Sequence, residues 1–291
     1  MIRLIKTGVA LLVLFIVGWI GLSLFPKKAV VPQPTLTVAA TIFPIYDLVR
    51  FIAGEHANVI LLLDTGEALE KIDHIYNRGD FSSLQAIFAV GRDFDTKNIP
   101  EHLKSKLVSV DQDIALLKNA DGSVNPFYWL SVKQAPLIAS TITLRLAELD
   151  PANAASYAQR LSLLKPQLAA LDTHITELLR QLPTKKMAVY GYDWSYFAQD
   201  YGLDIVYESA AAQLAVVALA QTASQEGLRA IFSDISLSPA PLLSFIDRPG
   251  FSILNLDALG GVEDRQSYVA LMAYNARTIF DGLNEAAGQV P

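Results

Sequence analysis

Cysteine is absent from the 291 residues of the chain. The protein therefore has no disulfide bond, no thiolate metal ligand, no catalytic thiol and no cysteine that could carry a lipid. Histidine is scarce, with four residues, and the formal net charge is −6. No basic stripe is present that could neutralise a phosphate backbone, so we expect no binding to nucleic acid.

Short motifs with a known catalytic mechanism are also missing. The sequence has no glycine-rich phosphate loop, no Gly-x-Ser-x-Gly turn and no His-Glu-x-x-His pair. These absences argue against the main hydrolase and nucleotide-dependent classes. We therefore expect that the protein is not an enzyme.

Residues 8–25 contain no charged side chain and are mostly apolar. As a helix they would extend about 27 Å, close to the hydrocarbon thickness of about 30 Å. A cleaved signal peptide is the alternative, but the run ends in Leu-Phe-Pro-Lys-Lys, which is a poor cleavage site. We predict an N-terminal transmembrane helix within residues 1–26 that anchors the protein in the membrane. The proline-rich residues 27–35 are then a spacer.

Short β-branched runs alternate with helical patterns in the rest of the chain, which predicts parallel α/β lobes at residues 36–149 and 184–291. Such sheets bind ligands at the carboxyl ends of their strands. The predicted strands are Thr37–Thr41, Val59–Leu63, Ile87–Val90, Leu107–Val110, Lys186–Tyr190, Ile205–Glu208, Ala230–Asp234 and Ser252–Leu256. The predicted helices are Tyr46–Ala53, Asp80–Gln85, Gln213–Glu226, Pro239–Ile246 and Arg265–Glu285.

One longer helix is predicted between the two lobes, at residues 150–183. Asp150-Pro151 is a typical helix start, and Pro183 closes the segment. Apolar residues recur between them at spacings of three and four, from Tyr157 to Leu182. Pro166 should kink this helix or remove one of its hydrogen bonds.

Five segments of the chain carry a family resemblance when they are taken in order: VAATIFPIYDLVRFIAG, NPFYWLSVKQAPLIASTITLRLAELDPANAASYAQRL, YFAQDYGLDIV, GLRAIFSDISLSP and LNLDALGG. Together they resemble the solute-binding proteins of zinc and manganese ABC transporters. The resemblance implies an α/β fold of two lobes joined by one rigid helix, a body in the periplasm, and an ABC transporter permease or another membrane protein as the partner. The N-terminal helix predicted above would then hold this body at the inner membrane by a single pass.

The family's metal lies between the lobes on four side chains, commonly three histidines and an aspartate. The resemblance implies that His74, in Asp73-His74-Ile75-Tyr76, and Asp257 are retained ligands. The other two histidine positions fall on Phe127 and Gly191, which cannot coordinate a metal ion. We expect that Phe127→His together with Gly191→His would restore zinc affinity, provided that both positions have room for an imidazole.

Nearby carboxylates are candidates for the missing donors, namely Asp193 and Asp234. One histidine with oxygen donors suits manganese better than zinc, so a divalent metal ion, manganese or zinc, is expected to bind weakly. The alternative is that His74 forms a hydrogen bond in a lobe interface and that Asp257 holds a loop or caps a helix.

Aromatic residues are concentrated around the two lost ligand positions. We expect Phe127, Gly191, Tyr192 and Trp194 to line the cleft, where the rings would suit an organic ligand or a chelated metal or simply pack the lobes together. Two functions follow: a solute-binding protein with part of its metal site, or a pseudo-binding protein that has lost the metal and serves as a protein-interaction module.

Overall fold

The computed structural model describes residues 36–64, 69–77, 79, 81–209, 213–237, 242 and 252–288. These residues belong to one compact unit. The predicted anchor and spacer lie outside the described residues. Within the described part, no helix is long and apolar enough to cross a membrane.

The first sheet has four parallel strands in the order β2-β1-β3-β4. Val38 in the centre of β1 pairs with Val59 on one side and with Ala86 on the other. The central strand β3 is buried along its whole length, as expected for a strand covered on both faces. The elements are β1 (Leu36–Ala40), α1 (Phe43–Ala53), β2 (Ala57–Leu61), β3 (Ala86–Ala89) and β4 (Leu107–Ser109).

The second sheet is also parallel and repeats the topology, in the order β6-β5-β7-β8. The first strand of each sheet is central, and the second forms one edge. Two parallel α/β sheets are therefore confirmed. The elements are β5 (Lys186–Tyr190), α4 (Ser195–Tyr201), β6 (Asp204–Ser209), α5 (Gln213–Gln225), β7 (Ala230–Asp234), β8 (Ser252–Leu256) and α6 (Tyr268–Gly288).

Helices α2 (Ala135–Leu149) and α3 (Ala154–Arg180) lie between the two sheets in the chain. The long helix α3 follows a 3₁₀ turn at Pro151–Asn153 and contains Pro166 without interruption. It packs against α1 and α2, which precede it in the chain, and against α4 and α6, which follow it. The predicted long helix is therefore present. Its buried side chains are Tyr157, Leu164, Leu168, Leu171, Ile175 and Leu179.

Some predicted helices differ from the structure. The prediction of a helix at Asp80–Gln85 is wrong, because the described residues 81–85 form a turn. The Gln85 amide already donates to Thr37 O of β1 at 2.9 Å, which leaves no length for a helical turn before β3. The predicted helix at Pro239–Ile246 lies outside the described residues except for Leu242.

The last helix begins three residues later than predicted, at Tyr268 rather than Arg265. Ser267 precedes it, and its hydroxyl oxygen accepts a hydrogen bond from the Ala270 amide at 3.1 Å. This is N-capping geometry, and it leaves Arg265 in the loop that follows β8. The position of Arg265 in this loop matters for the candidate site.

Candidate functional site

The carboxyl edge of the second sheet brings together three of the predicted site residues. Gly191 follows β5, Asp234 ends β7, and Asp257 follows β8, and these three strands are neighbours in the sheet. The amide of Ala258 donates to Asp234 Oδ2 at 3.2 Å. Parallel strands end at the same edge, so the two carboxylates lie side by side.

Asp257 is buried, and much of its hydrogen-bonding capacity is used by the protein. Its Oδ1 atom accepts hydrogen bonds from the amides of Leu259 at 2.9 Å and Gly260 at 2.8 Å. Asn275 of α6 holds its backbone on both sides, accepting from the Asp257 amide at 2.8 Å and donating to its carbonyl at 2.7 Å. The carboxylate is therefore rigidly placed at the strand end.

Arg265 faces the second oxygen of this carboxylate. Its Nε atom lies 2.8 Å from Asp257 Oδ2, and the two side chains are 12% and 6% exposed. The guanidinium carbon also lies 4.3 Å from the centroid of the Tyr274 ring, within the range of a cation–π interaction. A positive charge is thus already present beside Asp257.

Asp234 is almost completely buried. Its Oδ1 atom accepts from the Ser236 amide at 2.9 Å and from the Ser236 hydroxyl at 2.6 Å. Burial, opposed by these bonds and reinforced by the Asp257 charge, raises the pKa of the Asp234 carboxyl to about 6.

Gly191 lies against Asp234 with a φ of +139°. A Cβ atom at this position would be 3.0 Å from both Asp234 Cβ and Leu237 Cδ1. Only glycine combines this backbone conformation with so close an approach. The condition stated above for restoring zinc affinity, room for an imidazole at position 191, is therefore not met.

Phe127 packs with its neighbours in an aromatic cluster that joins the loop before α2 to the loop after β5. Its ring is stacked on Tyr192, with centroids 5.7 Å apart and planes at 24°. It also contacts Trp129 at 5.0 Å and Phe94 at 5.7 Å, and the indole of Trp129 donates to Ala258 O at 2.8 Å. The ring is thus held in place by packing on several sides.

Three predicted cleft and ligand residues remain, Trp194, His74 and Asp193, and none of the contacts described for them is with Asp234 or Asp257. Trp194 is buried and meets Phe197 of α4 edge to face at 5.9 Å. His74 is exposed on a 3₁₀ helix, Leu69–Asn77. Asp193 is half-buried, and its Oδ1 accepts from the Ser195 amide at 2.7 Å, at the start of α4.

No group of three or more histidine or acidic residues that could hold a metal ion is found where the structure describes the chain. Asp234 and Asp257 are adjacent, but His74 and Asp193 do not join them as a third or fourth donor. Zinc sites use four protein donors, or three with an open position. The donor set as it stands does not fit a closed zinc site.

Sequence reasoning missed two residues of this region, Arg265 and Ser236. Arg265 was assigned to the beginning of the last helix, whereas it lies in a loop and pairs with Asp257. Its positive charge eight residues after a candidate ligand was the available signal. Ser236, two residues after Asp234, fits a common local pattern in which a short side chain and its amide bind the preceding carboxylate.

The two parallel sheets, the long helix between them and the carboxylates at the strand ends define a two-lobed α/β protein with its candidate site at a sheet edge. The chain matches the family described as "Zinc-uptake complex component A periplasmic" over residues 38–282. It belongs to this family.

Curated relatives and solved structures agree with this assignment. The chain is 24% identical to the metal ABC transporter substrate-binding lipoprotein ScbA of Streptococcus cristatus, over 94% of this chain and 97% of that protein. It is likewise 24% identical to the manganese ABC transporter substrate-binding lipoprotein scaA of Streptococcus gordonii, with the same coverage. The periplasmic zinc-binding protein TroA of Treponema pallidum has the same fold, with a TM-score of 0.71 and 22% identity over 85% of this chain and 99% of that one.

Proposed function

We propose that the protein is the substrate-binding component of a metal-type ABC uptake system. In this function it captures a divalent cation between lobes 36–149 and 184–291, which helix 150–183 connects, and delivers it to a membrane permease. The observation that carries the proposal is the pair of carboxylates, Asp234 and Asp257, at neighbouring strand ends of a fold shared along nearly its whole length with metal-binding relatives.

Two carboxylates form the fixed part of the proposed cation site. His74 and Asp193 are the further donors that we propose, and the segments that carry them must move toward the pair to complete the site. A set rich in oxygen donors favours manganese over zinc. With so few donors held in advance, the bound ion keeps much of its water and the affinity is low.

We also propose that residues 8–25 hold the protein at the inner membrane as a single pass, with the body in the periplasm. The two Streptococcus relatives are named lipoproteins, whereas this sequence contains no cysteine to carry a lipid. The test is to wash membranes with high salt and to sequence the N-terminus. Retention with Met1 or Ile2 intact is expected, and an N-terminus near residue 27 or 41 would contradict the anchor.

A second candidate function is a pseudo-binding protein that acts as a protein-interaction module. The observation that favours it is the stack of Phe127 on Tyr192, which fills one position where the family resemblance implies a histidine. A module of this kind would keep the fold and would bind no cation.

Titration calorimetry of the full-length protein in detergent, with manganese(II) and with zinc(II), decides between the two. We expect binding weaker than about 1 μM for both ions, and a loss of binding in Asp257→Asn. The control is Asn98→Ala, which removes a polar side chain remote in sequence from all proposed donors. Absence of binding would favour the interaction module, and nanomolar zinc binding would mean that other residues coordinate the metal.

A further inference from the structure

Among the contacts that the described residues make with the Asp257 carboxylate, backbone hydrogen bonds go to one oxygen, and a cationic side chain lies next to the other. Oδ1 accepts two backbone hydrogen bonds, from Leu259 and Gly260, whereas Oδ2 faces Arg265 Nε at 2.8 Å. We propose that Arg265 is an internal cation that occupies the metal-binding side of Asp257, so that a divalent ion must displace it in order to bind. This inference rests on the proposed function.

Steric and electrostatic effects both prevent Arg265 and a metal ion from occupying Asp257 Oδ2 at the same time. A metal ion bound to a carboxylate lies about 2.0–2.2 Å from its oxygen, which would put it only a few ångströms from the guanidinium. Both side chains of the ion pair are nearly buried, so water screens little of the repulsion between the two positive charges. The guanidinium must therefore leave before a metal ion can occupy Oδ2.

Arg265 is held by a contact with an aromatic ring and by an ionic contact, without a hydrogen bond from its Nε atom. The guanidinium lies over Tyr274, and the hydroxyl of Tyr274 donates to Asn255 O of β8 at 3.0 Å, which fixes the ring. Arg265 Nε nevertheless makes no hydrogen bond to any described residue, because its approach to Asp257 is close but poorly directed. An ionic contact without this directional bond is easier to replace than a bidentate arginine–carboxylate pair.

The internal cation also explains how the protein keeps two adjacent buried carboxylates when no metal ion is bound. Asp234 and Asp257 repel each other, and leaving both without a counter-charge would destabilise the fold. Arg265 supplies the counter-charge in the metal-free state and gives up its place to the ion. The metal affinity is lower as a consequence, because each binding event must break the Arg265–Asp257 ion pair.

Arg265→Gln is the decisive variant, because it removes the charge while keeping a polar side chain. Arg277→Gln is the matched control, since Arg277 pairs with Asp281 at 2.9 Å on the surface of α6. Manganese(II) affinity is measured by calorimetry on the full chain in detergent, and the melting temperature is measured with and without manganese(II) chloride. We expect Arg265→Gln to bind at least about tenfold more tightly than the natural protein, which is about 1.4 kcal/mol.

The thermal measurement gives an independent readout. Without metal, Arg265→Gln should melt below the natural protein, and manganese should restore most of the difference. Arg277→Gln should show neither effect. Equal affinities in the natural protein and Arg265→Gln would overturn the inference but leave the proposed function standing.

Other outcomes separate the inference from the proposed function. Binding that appears only in Arg265→Gln would support the internal cation and show that the natural protein is not a working metal carrier. Absence of binding in both would overturn both proposals. Arg265→Lys covers the case in which the glutamine variant does not fold. It keeps the positive charge but loses the planar guanidinium that lies over Tyr274, so its affinity should rise by less than the tenfold expected when the charge is removed. A gain of tenfold or more in Arg265→Lys would overturn the inference, because packing rather than charge would then limit binding.

Discussion

Replacing Gly191 by alanine tests how closely the strand-end backbone approaches Asp234. At a φ of +139° a side chain is strained, at about 1–3 kcal/mol. The new Cβ would also lie 3.0 Å from Asp234 Cβ and Leu237 Cδ1, and overpacking of this kind costs about 1–3 kcal/mol. The sum predicts a loss of about 2–6 kcal/mol in the free energy of unfolding.

Urea unfolding followed by tryptophan fluorescence measures this loss, and the chain offers a matched control. Gly122 has a φ of +85°, but a Cβ there would meet no atom within 4 Å. Gly122→Ala therefore carries the backbone strain without the collision. If Gly191→Ala is no more destabilising than Gly122→Ala, the close approach to Asp234 is refuted.

The same steric clash limits which of the two missing histidine ligands can be introduced by mutation. Gly191→His should destabilise the protein rather than complete a metal site, because its Cβ already has no room. Phe127→His adds an imidazole without such a clash, since Phe127 already has a side chain directed into the aromatic cluster. We expect zinc affinity to rise in the single variant Phe127→His and to be no higher in the double variant. A double variant that is stable and binds zinc more tightly than Phe127→His would contradict this reasoning.

Three further predictions concern the packing and the charge of the body. Leu168→Ala should cost about 2–5 kcal/mol of unfolding free energy because the Leu168 side chain on α3 is buried. Leu163→Ala, at a position 56% exposed, should cost less than about 0.5 kcal/mol, and equal urea midpoints for the two variants would mean that the apolar face of α3 is not packed. The pKa of Asp234 is raised from 3.8 to about 6, so the folded state holds its proton more tightly than the unfolded one. This group's contribution to stability should therefore fall by about 2 kcal/mol as the pH rises from 4 to 6. Asp234→Asn should lack this loss, and an unchanged difference between the two proteins across that range would contradict the shift. Trp129→Phe leaves the Ala258 carbonyl without its buried donor and should cost about 1–3 kcal/mol in the same urea assay, with an unchanged midpoint as the contrary result.

The strands were predictable because a parallel sheet covered on both faces requires continuous apolar, β-branched runs, and β5, β7 and β8 begin and end where expected. Helix α2 was missed because it contains the same kind of β-branched run. Its segment Ile138–Leu144 contains threonine and isoleucine at several successive positions, which resembles a strand. In the structure this segment is helical and packs against α3 and α1. Helix α4 has seven residues, too few to show a periodicity.

The carboxylates of the candidate site were found through the family resemblance, whereas their surroundings were not. The pairing of Arg265 with Asp257 depends on the path of the loop between β8 and α6, and no periodic pattern encodes that path. The lack of space at Gly191 is likewise a property of two strand ends, β5 and β7, which are distant in sequence. Contacts of this kind appear only when the sheet order is known.

The backbone amide of Tyr268 donates to Asp47 Oδ2 at 2.8 Å, between residues 221 positions apart in the chain. Asp47 lies on α1, against the first sheet, and Tyr268 opens the last helix. During synthesis, nearly all of the remaining chain must therefore be made before the Tyr268 amide can donate to the buried Asp47 carboxylate. The two sheets are consequently expected to melt in a single cooperative transition, and a fragment that ends before α6 would be a substrate for quality-control proteases rather than a folded half.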